Sequence, residues 1–240
     1  MRLENDFVAF QREGDSLWTR VGREPSGNPF NSLVQLEREN GIPRNPFINA
    51  GALVITDMLA SRSVNAAQSL VDFVRKLAGV ADITYNTRVA QSEISTSSRN
   101  AAMAHFMKSF GNLHNKVGEV LHAYCHHCAI EMSCVELARA VGFLANHGVN
   151  PWNGETVVDP SSAKRLSALM LTCGTYDAAG DFAYRVGLPA KSGVGGGIVA
   201  ILPGECGICV WSPALEESGN SHAGSLALEM FTSLTRRSIF

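Results

Sequence analysis

The chain has 240 residues, of which 45% are hydrophobic and 18% are charged, and its formal net charge at pH 7 is -2. A chain of this length buries most of its apolar surface in one large domain or two closely packed ones. The charge balance provides no basic field for a phosphate backbone, so nucleic acid is not an expected partner. No apolar run approaches the roughly 20 residues that span a bilayer, and residues 1–6 lack the apolar core of a signal peptide. We expect a cytoplasmic protein with no membrane partner.

Apolar residues at helical spacing predict a largely helical chain. The clearest cases are residues 50–59, where Ala52, Ile55 and Leu59 form one stripe, and residues 66–77. Further helices are expected over residues 33–39, 97–110, 117–132, 134–146, 162–171 and 222–235, with Gly148 and Gly174 as stops.

Strand patterns are concentrated near the C-terminus. Residues 195–202 and 207–212 are apolar runs joined by Pro203-Gly204-Glu205, which predicts a β-hairpin covered on one face by helix 222–235. The predicted fold class is α/β of the α+β type, with a helical subdomain beside an antiparallel sheet flanked by helices. Because two strands alone make a marginal sheet, we expect further strands from sequence before Met1 or from a partner.

The triplet Lys191-Ser192-Gly193 stands at the start of the first of these strands, before Val194-Gly195-Gly196-Gly197. The lysine ammonium, the serine hydroxyl and the glycine backbone could together bind a carboxylate or an oxyanion. This combination indicates acyl-transfer chemistry. From the residues alone, Lys191 and Ser192 could equally be solvated residues at a strand entrance. A phosphate-binding glycine loop is disfavoured because a strand, and not a helix, follows the glycines.

Two Cys-x-x-Cys spacings raise the alternative of a zinc site. Cys206 and Cys209 lie in a predicted strand, where side chains alternate between faces, so the two thiols would point to opposite sides of the sheet. Cys125 and Cys128 could share a helix face with His126 and His127 between them, but buried free thiols are common in cytosolic proteins. No metal is expected.

Several clusters of polar and small residues occur together: Gly-Asn-Pro-Phe-Asn-Ser at 27–32, Asn-Ala-Gly-Ala at 49–52, Gly-Thr-Tyr-Asp at 174–177, and Val-Gly-Leu-Pro-Ala-Lys-Ser-Gly-Val-Gly-Gly-Gly at 186–197. From about Trp18 to the last helix, the chain resembles the serine-dependent glutaminases, which share the fold of the serine β-lactamases and penicillin-binding proteins. The resemblance implies a β-lactamase-like fold, with residues 1–240 as a single domain. It also implies hydrolysis of L-glutamine to L-glutamate and ammonia through a serine acyl-enzyme, without a cofactor, in a homo-oligomer such as a tetramer.

The resemblance also implies which residues form the site. The glutamine pocket is expected to be lined by Asn49, Glu93, Asn100, Tyr124, Tyr176 and Val194. An acid, amides and hydroxyls suit the ammonium, carboxylate and amide of glutamine. Tyr124 is implied as the general acid/base, and the Val194 N–H as the donor to the oxyanion. Lys191 and Ser192 are implied as catalytic residues, with Ser192 orienting the substrate or relaying a proton.

Local sequence alone supports simpler roles for some of these residues. Asn49 could cap the helix that follows it, and Glu93 could be a first-turn residue favoured by the helix dipole. Tyr124 could be an ordinary core tyrosine with a bonded hydroxyl. Tyr176 and Asn100 carry no local signature.

The resembled family carries its nucleophile in a Ser-x-x-Lys motif that precedes the segment beginning near Trp18. Residues 1–9 contain neither serine nor lysine, and residues 8–11 have the pattern of a helix end, so we expect an N-terminally truncated domain. A Ser-x-x-Lys does occur at residues 161–164, but it follows Asp159-Pro160 at a predicted helix start, where serine is a favoured cap. We therefore expect a structural role for Ser161.

Three hypotheses follow. The first is a glutaminase. The second is an inactive, truncated relative that retains a glutamine or glutamate pocket or only associates with related subunits. The third is a zinc-binding interaction module built on Cys125 and Cys128.

Overall fold

The computed structural model describes residues 14–25 and 32–240. Most of the motif at residues 27–32, and the predicted helix end at residues 8–11, lie outside the described residues. The chain divides into two compact units. Unit 1 comprises Met1–Val74 and Ile83–Glu131, and unit 2 comprises Arg75–Asp82 and Met132–Phe240.

Unit 1 is mainly helical in its described part. Its helices are α1 (Leu33–Arg38), α2 (Asn49–Ala60), α3 (Ala66–Ala78), α4 (Thr87–Ser95), α5 (Ser98–Ser109) and α6 (Val117–Cys128), with a 3-10 helix at Gly14–Thr19. The last residues of α3, from Arg75 onward, belong to unit 2. Two short strands, β1 (Thr84–Tyr85) and β2 (Ile130–Glu131), pair in antiparallel register. All residues of α2 from Asn49 to Leu59 are buried, so α2 forms the centre of this unit.

The buried carboxylate of Asp57 links α2 to neighbouring segments of unit 1 through hydrogen bonds. Asp57 is fully buried and accepts hydrogen bonds from Arg20 at 2.7 Å and from the backbone N–H groups of His114 and Asn115 at 3.0 and 2.7 Å. Burial alone raises the pKa of Asp57, but the hydrogen bonds from Arg20 and from these amides outweigh it and lower the pKa below its usual value. The carboxylate therefore stays ionised inside the unit.

Unit 2 contains the larger sheet of the described chain. Its helices are α7 (Cys134–Ala140), α8 (Gly142–Ala145), α9 (Pro160–Cys173), α10 (Ala179–Arg185) and α11 (His222–Thr235), with a 3-10 turn at Tyr176–Ala178. Strands β3 (Ala190–Ser192), β4 (Gly197–Leu202) and β5 (Cys206–Trp211) form an antiparallel sheet in the order β3-β4-β5. The register runs from Gly197↔Trp211 to Leu202↔Cys206.

Alternation along β4 and β5 builds the core on one face of this sheet. Ile198, Ala200 and Leu202 of β4 face Leu228 of α11 in one apolar cluster, and Ile208 and other side chains pack against it. On the other face, α7 approaches β5 closely. A Cβ added at Gly207 would stand 2.4 Å from the carbonyl oxygen of Ala138. Glycine is therefore required at this contact.

The Arg75–Asp82 segment belongs to unit 2 through specific contacts. The carbonyl of Leu77 accepts a hydrogen bond from Asn150 Nδ2 at 3.2 Å. The Lys76 ammonium pairs with Glu155 at 2.5 Å.

The structure confirms most predicted elements and corrects three. The helices predicted over 33–39, 50–59, 66–77, 97–110, 162–171 and 222–235 are present, and so is the hairpin. The helix predicted over 117–132 ends at Cys128, because the chain turns there into β2. The helix predicted over 134–146 is interrupted at Val141. Lys191 and Ser192 do not begin β4 but form a separate strand, β3.

Helix α4 was outside the predicted elements, and Asn86 explains where it begins. The Asn86 side chain accepts hydrogen bonds from the N–H groups of Arg88 and Val89, which caps the helix. Among the described residues, no helix is long and apolar enough to cross a membrane.

Candidate active site

Strand β3 places the lysine and the serine of the triplet inside unit 2. Lys191 and Ser192 are 2% and 0% exposed, so their interpretation as solvated residues is wrong. The Ser192 N–H donates to the carbonyl of Gly174 at 3.0 Å. A Cβ at Gly174 would stand 1.8 Å from the carbonyl oxygen of Ala190, so only glycine lets this segment lie against β3.

Tyr176 lies beside this strand in an uncommon backbone conformation. Its φ of 60° places a non-glycine residue in the left-handed region, which costs free energy and persists where the surroundings enforce it. The Lys191 ammonium lies 4.6 Å from the centroid of the Tyr176 ring and also donates to the carbonyl of Ser192. The ring and the carbonyl together hold this buried cation in one position.

Val194 lies in the turn that joins β3 to β4. The N–H groups of Gly193 and Gly196 close the turn, each donating at 2.9 Å to a carbonyl of the same segment, and neither bond uses the Val194 N–H. The indole N–H of Trp211 donates to the carbonyl of Gly195 at 2.8 Å. The end of β5 therefore fixes the turn that presents Val194.

The segment around Gly219 and Asn220 belongs to the same region, and the sequence analysis missed it. A Cβ at Gly219, whose φ is 85°, would contact the Val194 side chain at 3.6 Å and the Tyr176 ring at 3.7 Å. Asn220 Nδ2 donates to the carbonyl of Thr175 at 3.1 Å. The turn-forming Ser-Gly-Asn run was the available signal.

Three buried polar atoms of this region have no hydrogen-bond partner among the described residues. They are Ser192 Oγ, Thr175 Oγ1 and Asn220 Oδ1. Buried polar atoms in native proteins are nearly always paired with protein, water or a ligand. Their concentration next to a buried ammonium marks a place where a polar small molecule can be recognised.

In unit 1, Asn49 and Asn100 are brought together. Asn49 Nδ2 donates to Asn100 Oδ1 at 3.0 Å. The alternative role of Asn49 as a helix cap is wrong, because the cap position of α2 is Ile48 and Asn49 lies inside the helix. The pair presents amide groups from α2 and α5.

Glu93 and Tyr124 lie on two helices of unit 1 that pack against each other, α4 and α6. Glu93 is half-buried near the end of α4, so its alternative role as a first-turn residue is wrong. Tyr124 is fully buried on α6. One turn further along α6, His127 is also fully buried, and burial lowers the pKa of His127 to about 4.

The residues of the zinc alternative have other surroundings. Cys125 is buried and forms no disulfide, and His127 Nε2 lies 3.0 Å from the carbonyl oxygen of Ala66. The His126 ring packs edge-on against Tyr85. No group of three or more His, Cys, Asp or Glu side chains suited to a metal ion occurs in the ranges 14–25 and 32–240.

The Ser-x-x-Lys at residues 161–164 forms the start of α9, but its cap is Asp159. The Asp159 carboxylate accepts hydrogen bonds from the N–H groups of Ser161 and Ser162 and from the Ser162 hydroxyl. These bonds lower the pKa of Asp159. Ser161 and Lys164 are exposed. The expected structural role of this motif is consistent with its place at the helix start.

A helical unit, a unit with an antiparallel sheet, and a buried lysine and serine on an outer strand define a hydrolase with the β-lactamase-like fold. The family model described as Glutaminase matches residues 6–240. The chain belongs to the glutaminase family, whose members are hydrolases acting on amides.

Individual relatives agree. A glutaminase of Ralstonia nicotianae is 70% identical over 233 residues, which cover 97% of this chain and 77% of the relative. The crystal structure of a Bacillus glutaminase superimposes with a TM-score of 0.94 at 37% identity, covering 100% of this chain and 83% of that one. The structure of Mglu in its glutamate form gives a TM-score of 0.91 at 33% identity, covering 100% of this chain and 55% of that one.

Proposed function

We propose that the substrate is L-glutamine and that the region around β3 binds its reacting amide. The observation that carries the proposal is Ser192, whose hydroxyl is fully buried and has no partner among the described residues, while its backbone carbonyl accepts a hydrogen bond from the Lys191 ammonium. The structural relative solved in its glutamate form supports a ligand of this kind.

The Val194 turn suits the oxyanion that forms when the amide carbon of glutamine is attacked. The Val194 N–H takes no part in closing the turn, and the Trp211 indole binds the neighbouring carbonyl of Gly195. A donor held in place before the reaction stabilises developing charge without reorganisation. We propose that the Lys191 ammonium adds a fixed positive charge and that Ser192 orients the substrate.

Within unit 1 we propose Asn49, Glu93 and Asn100 as substrate-binding residues, and within unit 2 we propose Tyr176. The Glu93 carboxylate suits the ammonium of glutamine, and the paired amides of Asn49 and Asn100 suit its carboxylate. Tyr124, also in unit 1, is proposed as the general acid/base. Its burial on α6 supports a proton transfer shielded from bulk water.

We propose a serine nucleophile. Its oxygen attacks the side-chain amide carbon of glutamine, the C–N bond breaks, and the nitrogen leaves as ammonia after gaining a proton. Water then cleaves the ester and releases glutamate. Ser161 is not assigned this role, because it is an exposed residue beside the Asp159 cap.

Two measurements on the full chain test the proposal. Ammonia release from glutamine tests hydrolysis, and calorimetric titration with glutamine and glutamate tests the pocket, with asparagine as a shorter control ligand. Ser192→Ala should weaken glutamate binding at least tenfold, because a hydroxyl facing the ligand is lost. Ser161→Ala is the matched control and should bind and react like the parent chain.

The outcomes separate the hypotheses. Binding without ammonia release would support the inactive relative that keeps its pocket. Equal binding by the parent chain and Ser192→Ala would contradict the placement of the ligand beside β3. Loss of activity in Ser161→Ala would contradict the role given to that residue.

We also propose a cytoplasmic homo-oligomer. None of the six cysteines forms a disulfide, which suits a reducing compartment. Leu226, Met230 and Leu234 are exposed at successive turns of α11, and an apolar stripe of this kind suits a contact between subunits. Light scattering after size-exclusion chromatography would give the assembly mass, and a monomer at micromolar concentration would contradict the oligomer.

A further inference from the structure

Two thiols of unit 2 meet where α7 lies against the sheet. Cys134 is the first residue of α7, and Cys209 lies in β5. A hydrogen bond joins the two side chains. Cys134 is exposed and Cys209 is half-buried, so solvent reaches one member of the pair directly.

The close approach at Gly207 explains why the two thiols are neighbours. Gly207 contacts the carbonyl of Ala138, one turn after Cys134 on α7. Cys209 lies two residues after Gly207, on the same face of the strand. The four helical residues from Cys134 to Ala138 advance about 6 Å, and two strand residues advance about 6.6 Å. These two advances are nearly equal, and the hydrogen bond between the side chains shows that the two thiols face each other.

The missing Cβ of Gly207 also sets the distance between the two backbones. A disulfide needs Cα atoms about 4.4–6.8 Å apart, a separation that bulky side chains between a helix and a sheet normally prevent. At Gly207 even one added carbon would overlap the carbonyl of Ala138. The helix and the strand therefore lie close together at the Ala138–Gly207 contact, two strand residues from Cys209 and four helical residues from Cys134.

We propose that Cys134 and Cys209 form a reversible disulfide when the protein meets a peroxide. The exposed Cys134 sulfur attacks the peroxide, the O–O bond breaks, and a sulfenic acid and water or an alcohol result. The Cys209 sulfur then attacks the sulfenic sulfur, the S–S bond forms, and the hydroxyl leaves as water with the Cys209 proton. The peroxide is reduced by two electrons, and the two thiols are oxidised by two.

The surroundings of Cys209 assign the order of these steps. Burial is the largest cause of a raised pKa at the Cys209 thiol, and the charge of Cys134 and its hydrogen bond add to it. Together they raise the pKa of Cys209 to about 12. A half-buried, protonated thiol reacts slowly with a peroxide from solution, because the thiolate is the reactive form. Cys209 therefore acts as the resolving thiol, whose attack on the adjacent sulfenic sulfur is favoured by proximity.

Hydrogen peroxide treatment of the folded full chain, followed by peptide mapping without reductant, tests the proposal. The expected product joins the peptides that contain Cys134 and Cys209, with the loss of two hydrogens, and dithiothreitol should restore both free thiols. Cys209→Ser should stop the reaction at the sulfenic acid of Cys134, which dimedone traps.

Cys206→Ser is the matched control. Cys206 is exposed on the same strand but points to the opposite face, so this variant should form the Cys134–Cys209 bond as readily as the parent chain. Circular dichroism before treatment establishes that each variant is folded. Overoxidation of Cys134 without a cross-link, or a cross-link through Cys206 instead, would overturn the proposal.

Discussion

His127 makes unit 1 sensitive to acid. Its ring is fully buried, its Nε2 lies 3.0 Å from the Ala66 carbonyl oxygen, and its Nδ1 has no partner among the described residues. Burial lowers the pKa of His127 from 6.5 to about 4, against the opposing effect of the bond to Ala66. The folded state therefore holds the ring neutral at pH values where the unfolded chain already binds a proton.

The sign and size of the effect follow from linkage. Between the two pKa values the unfolded chain binds more protons, so the stabilisation is complete above 6.5 and is lost as the pH falls toward about 4. The difference between 6.5 and about 4, at about 1.36 kcal/mol for each unit, amounts to about 3 kcal/mol. Well below a pH of about 4, the titration of His127 causes no further change in the free energy of unfolding.

The test replaces His127 with glutamine, which cannot titrate and whose amide can still donate to the Ala66 carbonyl. Urea unfolding followed by circular dichroism would be measured from about pH 7 to about pH 4 for both proteins. The parent chain should lose about 3 kcal/mol more than His127→Gln across this range. The exposed His105 of unit 1, changed to glutamine, is the control and should keep the parent's pH dependence. Equal losses in the parent and His127→Gln would refute the reasoning.

Three further predictions concern single contacts. Asp57→Asn should lower the free energy of unfolding by about 3–5 kcal/mol in urea titrations, because the Arg20 guanidinium loses its buried counter-charge. Gly174→Ala should cost about 1–3 kcal/mol in the same assay, since its Cβ has no space against β3. Trp211→Phe should cost about 0.5–1.5 kcal/mol and speed amide exchange in the Val194 turn, because its bond to that turn is lost.

Each of the three has a matched control. Glu119→Gln removes an exposed carboxylate of unit 1 and should cost less than about 1 kcal/mol. Gly180→Ala adds a methyl group where nothing lies within 4 Å and should be neutral or stabilising. Trp152→Phe removes a different indole hydrogen bond, to Arg139, and should leave exchange in the Val194 turn unchanged. Equal effects in a variant and its control would contradict the corresponding contact.

The sequence predicts the fold best where local signals agree. Helix α11 has the predicted bounds because the Ser221 side chain caps its start and one face is apolar. The β4–β5 hairpin follows from a short turn between apolar runs. The end of α6 was not predictable in this way, because β2 pairs with β1, about 45 positions earlier in the chain, and local periodicity contains no information about such a partner.

The candidate site likewise contains residues that the sequence predicts and features that only the tertiary structure reveals. Lys191 and Ser192 attract attention through their chemistry, but their burial depends on the close approach of Gly174, which no local pattern reveals. Asn100 has no local sequence signature, and only the family resemblance predicts it as a site residue. Its hydrogen bond with Asn49 depends on the tertiary structure. The left-handed backbone of Tyr176 is likewise a product of tertiary structure.

The short Arg75–Asp82 segment has a consequence for dissecting the protein. A fragment that begins at Met132 would leave the Asn150 amide without the Leu77 carbonyl and Glu155 without the Lys76 ammonium. Unit 2 therefore cannot be obtained by cutting the gene at one place. A recombinant version would need residues 75–82 supplied as a second peptide or joined through a new linker, and the folding of such a pair would become a complementation assay.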